Sequence, residues 1–290
     1  MAKVIVKERK NKGTHNKVYD IKEEGVSNFV NDKSLVNPII EDFEKRGTNF
    51  PIVFGVPRSG STLIRNILNT IFDGRIDVQH HDYFNFKEND MIIATYRDFR
   101  DCTISKWRMN TGGFDTEKNL VRVQWNDNKV LSKDKNDPFH IEGNTVSGCA
   151  NALKRRVNAL NRFDGLYKNQ DTGSSTPTEM KTNRNIYFAR YEQFHDNFGL
   201  LFNHLEQFLQ IVIKEDLKDF IKNTWNRTRI KRVYSDSIEA FSGYDKDTEI
   251  HGHHIYKGKV GTWKEILQKD HHSSMNAAWK RELKHWGYEL

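Results

Sequence analysis

The apolar positions of this chain follow two rhythms. Four short runs, near residues 51–56, 75–80, 91–96 and 185–190, carry apolar residues and are bounded by turn residues, which predicts strands. Between and after them, Ile64 to Phe72, Phe99 to Met109, Val146 to Tyr167 and Phe198 to Gln210 carry apolar residues at helical spacing. Strands alternating with helices imply right-handed crossovers and a central parallel sheet flanked by helices, with ligands held at the carboxyl ends of the strands. The expected class is α/β. Met1 to Gly47 is polar and Lys-rich, with one helix at Leu35 to Arg46; it reads as an extension packed on a single domain formed by residues 48–290. Asn169 to Asn185 reads as a mobile surface loop, and no internal repeat is visible.

Composition supports one folded domain. A chain of 290 residues with 36% hydrophobic and 12% aromatic content can bury a substantial core. The formal charge of +7 favours anionic ligands of any kind. Lys and Arg are, however, spread among 39 acidic residues rather than concentrated on a basic helix, so no nucleic-acid partner is expected. Cys102 and Cys149, the two cysteines, give no disulfide framework and read as small core residues, consistent with a reducing compartment. The start, MAKVIVKERKNKG, lacks the long apolar stretch of a signal peptide or anchor. A soluble cytoplasmic protein with no membrane partner is the expectation; the oligomeric state is left open.

The candidate chemistry begins at FPIVFGVPRSGSTLIRNIL, Phe50 to Leu68: a strand run, a tight Gly/Pro/Ser turn and an amphipathic helix. This is how proteins hold phosphate on backbone N–H groups. Gly55 and Gly60 have the G-x-x-x-x-G spacing of a Walker A loop, but Ser61 and Thr62 stand where that loop needs Lys and then Ser or Thr. A nucleoside triphosphate site is therefore disfavoured. The loop N–H groups, the Ser59, Ser61 and Thr62 hydroxyls, the positive end of the helix dipole and the Arg58 charge can still surround one phosphate.

In this order, Pro57 to Thr62 resembles the phosphosulfate-binding loop of the PAPS-dependent sulfotransferase superfamily, P-[KR]-[ST]-G-[ST]-T, which grips the 5′ end of 3′-phosphoadenosine 5′-phosphosulfate (PAPS). The resemblance implies a P-loop-like, nucleotide-kinase-like α/β fold, PAPS as sulfuryl donor and PAP as product. MIIATYRDFRDCTISKWR, Met91 to Arg108, is similar to the segment whose Arg and Ser hold the nucleotide 3′-phosphate, here Arg97 and Ser105, with Phe99 in place of the usual Pro. In isolation the same helix reads as a surface helix laced with Asp98, Arg100 and Asp101. HIYKGKVGTWKEIL, His254 to Leu267, resembles the late R-K-G-x-x-G-x-W-K segment, with Lys257 and Gly258 matching. Tyr256 replaces the family's Arg, so one charge on the 3′-phosphate is missing or comes from Lys259 or Arg232. NIYFARYEQF, Asn185 to Phe194, resembles the strand whose Tyr, here Tyr191, contacts the adenosine.

Sulfuryl transfer to a hydroxyl or amine needs a base at the acceptor and a cation on the bridging oxygen. Arg58 is the cation candidate, in the place where many relatives have Lys. The base candidate lies in IDVQHHDYF, Ile76 to Phe84: overlaying the family's strand end makes it His81, with His80 in reserve and Asp82 as an orienting group or alternative base. The His-His-Asp run and the His251, His253, His254 group also look like fragments of a metal site, but no second cluster has ligand spacing and no metal is expected. The region 110–145, with Gly112, Gly113, Trp125 and Phe139, would shape the site of a polar small-molecule or carbohydrate acceptor. Two other classes stand beside the enzyme reading: a P-loop-type small-molecule kinase, and a catalytically silent nucleotide-binding module.

Overall fold

The computed structural model describes residues 2–9, 17–76, 79–82, 85, 87, 89–110, 125–126, 145–164, 180–183, 185–238, 243–252, 255 and 258–290. In chain order its principal elements are β1 (Val4–Arg9), β2 (Val18–Glu23), α1 (Asn37–Lys45), β3 (Ile52–Gly55), α2 (Ser61–Ile71), β4 (Gln79–His80), β5 (Ile92–Tyr96), α3 (Phe99–Asn110) and α4 (Val146–Asp164). There follow β6 (Lys181–Asn183), β7 (Ile186–Arg190), α5 (Gly199–Leu209), α6 (Glu215–Trp225), α7 (Arg227–Ile230), β8 (Tyr244–Asp245), α8 (Thr262–Ile266) and α9 (His272–His285).

The fold is α/β. Its main sheet has the order β4-β3-β5-β7-β6, with β4, β3, β5 and β7 parallel. The three long parallel strands are buried on both faces, which is why they read as unbroken apolar runs. Successive side chains serve opposite cores. Val53, Ile93 and Tyr187 pack towards α1, α2, α5 and α6, whereas Phe54, Ile92, Ala94 and Phe188 pack towards α3, α4, α8 and α9. The chain leaves β3 for β4 on one side and then crosses over to β5 on the other. That reversal makes a topological switch point at the carboxyl ends of β3 and β5, where an open α/β sheet binds ligands.

Three features depart from the sequence expectation. The sheet is not wholly parallel: β6 pairs antiparallel with β7, and it lies inside the stretch read as a loop. Its residues, Lys-Thr-Asn, carry no apolar signal because an edge strand has little to bury. The chain's beginning, read as helix and polar extension, also forms a hairpin of β1 and β2 that β8 joins in parallel, giving a second, three-stranded sheet. β1 is almost entirely exposed, so its sequence alternates too weakly to register. The carboxyl-terminal helices hold the core by sparse anchors, Leu217, Ile221 and Trp225 in α6 and Met275, Trp279 and Leu283 in α9, among many charges. Among the described residues no helix is long and apolar enough to cross a membrane.

Candidate active site

Sequence dictates the turn after β3 at two points. A Cβ on Gly55 would stand 2.3 Å from the Ser61 Cβ and 2.7 Å from the Thr95 Oγ1, so only glycine lets the start of α2 close on the sheet. Gly60, at φ 88°, turns the chain into α2, and a Cβ there would lie 2.8 Å from the Tyr191 ring. Arg58 adopts φ 77° without being glycine, a left-handed conformation that costs energy and aims its side chain. The first intrahelical bond of α2 runs from Ile64 N–H to Gly60 C=O. Ser61, Thr62 and Leu63, whose N–H groups precede that bond, border a cavity of about 420 Å³.

Most of the sequence-derived candidates meet around this cavity. Arg58, Gly60, Ser61, Thr62, His81, Arg97, Ser105, Tyr191 and Gly258 all border it. Arg58 Nε donates to Ser105 Oγ at 2.9 Å, joining the first loop to α3. Burial and then the neighbouring Arg97 press the Arg58 pKa down to about 10, which leaves it charged at neutral pH. Arg97 is buried and donates to Lys259 C=O at 2.6 Å and to Asp101 Oδ2 at 3.2 Å, while its guanidinium lies 4.4 Å over the Tyr191 ring. Burial opposes its charge, but Asp101 and then its other ionisable neighbours hold its pKa above the ordinary value.

Asp101 ties two motifs together. One carboxylate oxygen accepts from Gly261 N–H at 2.8 Å, and the other accepts from Trp263 N–H at 3.0 Å and the Thr262 hydroxyl at 3.1 Å. It therefore caps α8 and locks the late glycine-rich segment beside Arg97. Tyr191 donates its hydroxyl to Gly258 C=O at 3.2 Å, which fixes the same segment from the other side.

His81 Nδ1 lies 2.7 Å from Gly55 C=O. A carbonyl only accepts, so Nδ1 carries the proton and Nε2 of the neutral ring is the basic nitrogen.

Three candidates fall elsewhere. Ser59 does not line the cavity: its hydroxyl is 2.6 Å from the Thr95 hydroxyl and bonds the Thr95 carbonyl, and its N–H donates to Val56 C=O. It braces the loop. Asp82 does not orient His81 but faces Arg155, at 2.9 Å, and Arg156 of α4. His80 pairs in register with Phe54 and is absent from the lining. Burial, then the charge of His81, lowers its pKa. Of the two groups expected to replace the charge missing at Tyr256, Arg232 is engaged with Glu23, and Lys259 contributes its carbonyl to Arg97. Lys257, Tyr256, Gly112, Gly113, Phe139, His253 and His254 lie outside the described residues.

The lining adds groups that motif reasoning passed over. Lys106 and Arg108 come from the last turns of α3, Arg227 from α7 and His195 from the segment after β7. Lys106 and Arg108 lie in the Met91 to Arg108 segment but carry none of its pattern positions, and Arg227 and His195 belong to no short motif. Every acidic side chain among the described residues stays out of the lining, against five permanently charged cations. Such a cavity suits a ligand with several negative charges. Among the described residues no group of three or more His, Cys, Asp or Glu could hold a metal ion.

No protein-family model matches the chain, and no curated protein matches it in sequence. Among solved structures, the chain is similar to mouse sulfotransferase SULT7A1 complexed with PAP, with 11% identity and a TM-score of 0.49, over 96% of this chain and 94% of that one.

Proposed function

We propose that the protein is a PAPS-dependent sulfotransferase that moves a sulfuryl group to a hydroxyl or amine of a small-molecule or carbohydrate acceptor. The observation that carries this reading is the convergence, on one acid-poor cavity at the switch point, of the loop after β3, Arg97 from the turn after β5, Ser105 of α3, Tyr191 and Gly258. These residues fit a nucleotide with an anionic group at each end of its ribose. The first turn of α2 and Arg58 would hold the phosphosulfate; Arg97 and Ser105 would hold the 3′-phosphate.

In this reading His81 Nε2 takes the proton of the acceptor as it attacks sulfur, and Gly55 C=O stabilises the imidazolium by accepting from Nδ1. Arg58, charged throughout, lies against the oxygen that becomes the leaving group and stabilises the charge developing there. PAPS itself supplies the activated sulfuryl group. A kinase would need a loop lysine where Ser61 stands, so that reading has less support.

Calorimetric titration with PAP tests the proposal, run beside the 5′-monophosphate lacking the 3′-phosphate and repeated on Arg97→Ala. Binding that needs both the 3′-phosphate and Arg97 is expected. Indifference to the 3′-phosphate would overturn the reading; magnesium-dependent ATP turnover would favour the kinase, and PAP binding without transfer to any acceptor the silent module.

A further inference from the structure

Three arginines stand within six residues of one another in α7 and the turn after it, and they have different partners. Arg229 donates to Glu23 Oε2 at 2.8 Å and to Thr224 C=O at 2.7 Å; Arg232 reaches the other oxygen of the same carboxylate. Desolvation works against ionised Glu23, but the hydrogen bonds from both arginines win and keep its pKa low. These two guanidiniums thus tie α7 and the turn after it to β2. Arg227 goes the other way and borders the cavity.

Its approach is built into the backbone. Gly258 has φ 59°, and a Cβ there would stand 2.7 Å from Arg227 Cδ and 3.3 Å from its Nη1, so the arginine stem occupies the space a side chain would fill. The hydroxyl of Tyr191 bonds the Gly258 carbonyl, and Arg97 lies over the Tyr191 ring. Burial raises the Tyr191 pKa against the pull of first Arg97 and then Arg227, both of which lie close enough to act on this phenol. The ion pair of Arg227 with Asp196 is long, 3.5 Å, and Asp196 is 65% exposed, so it holds the guanidinium weakly. Asn226 caps α7 by accepting from Arg229 N–H, which fixes the residue next to Arg227.

We infer that Arg227 is the second guanidinium for the donor's 3′-phosphate, standing in from α7 for the charge that Tyr256 leaves out of the late glycine-rich segment. The inference rests on the sulfotransferase reading. It makes Arg227 a binding residue that discriminates PAP from nucleotides without a 3′-phosphate.

The test is calorimetry with PAP and with adenosine 5′-monophosphate on the wild type, Arg227→Ala, Arg227→Lys and Arg232→Gln, with thermal denaturation of each. The wild type should prefer PAP. Arg227→Ala should lower that preference roughly 10- to 100-fold by weakening PAP alone, since a charge-assisted bond is lost. Arg227→Lys should recover part of it, and Arg232→Gln should keep it within about twofold, as expected for a residue outside the cavity. An Arg227→Ala protein that folds and keeps the wild-type preference would overturn the inference while leaving the sulfotransferase reading intact. So would equal weakening of both nucleotides. If the wild type shows no preference for PAP, the reading fails first and the inference with it.

Discussion

The carboxylate of Asp101 lies 3.2 Å from the guanidinium of Arg97, four residues earlier in the chain, and both side chains are buried. Asp101 also caps α8, so one carboxylate sets the position of a proposed phosphate ligand and of the segment that flanks it. Asp101→Asn should therefore act on two levels. Leaving Arg97 without its buried counter-charge should cost about 3 kcal/mol of stability. PAP affinity should fall together with it, because Arg97 and the Gly261–Trp263 turn lose their common anchor. Denaturant unfolding and titration of the same variant check this; a variant of normal stability would show that the pair does not hold the segment.

Arg58 gives a contrary expectation. Its φ of 77° and its burial near Arg97 both disfavour the ligand-free state. Arg58→Gly relieves the backbone by about 1 kcal/mol and removes a cation that faces another. The ligand-free variant should melt higher than the wild type, whereas the stabilisation that PAP gives the wild type should shrink or vanish. A ligand-free variant that melts lower would show that Arg58 supports the fold through Ser105 rather than waiting for an anion.

The contrast between these two residues shows what the sequence could and could not disclose. Arg58, Arg97, Ser105 and Tyr191 were readable by type and spacing within short motifs, and they meet around one cavity. The three long parallel strands were readable because burial on both faces leaves mainly apolar residues. Asp98, Arg100 and Asp101 in isolation read as a solvated face, yet all three are buried: Asp98 grips Arg100, whose guanidinium also lies over Trp263. Burial of a charge depends on partners far along the chain, and local pattern carries no trace of them. Arg227 escaped for the same reason, as did the β1–β2 hairpin, whose outer strand buries almost nothing.

His80 makes stability depend on pH. Burial, and then His81, lowers its pKa in the fold, so the unfolded chain takes up a proton near pH 6.5 while the folded chain still resists. In that window the unfolded state binds more protons, and stability falls as pH falls. Below the folded pKa both states are protonated and the contribution levels off. His80→Gln should lose less stability than the wild type when the urea midpoint is compared between pH 7.5 and pH 5. Equal losses would show that His80 is as readily protonated in the fold as in the unfolded chain.

His81 should behave differently from its neighbour. The Gly55 carbonyl accepts from Nδ1 and so leaves Nε2 as the basic nitrogen, beside the cavity, whereas Asp82 is drawn off to Arg155 and Arg156. Removing the base should slow transfer by roughly 10²- to 10⁴-fold, while donor binding, which it does not touch in this reading, should hold within about twofold. His81→Ala is the sharper variant, since it leaves space in which added imidazole can restore part of the rate. Asp82→Asn should leave transfer close to wild type, because its carboxylate is half-exposed, is held by Arg155 and is absent from the cavity lining. On any hydroxyl or amine acceptor that the wild type sulfates, a rate drop in Asp82→Asn equal to that in His81→Ala would move the base to the carboxylate, and retention of rate in both would pass the role to His80.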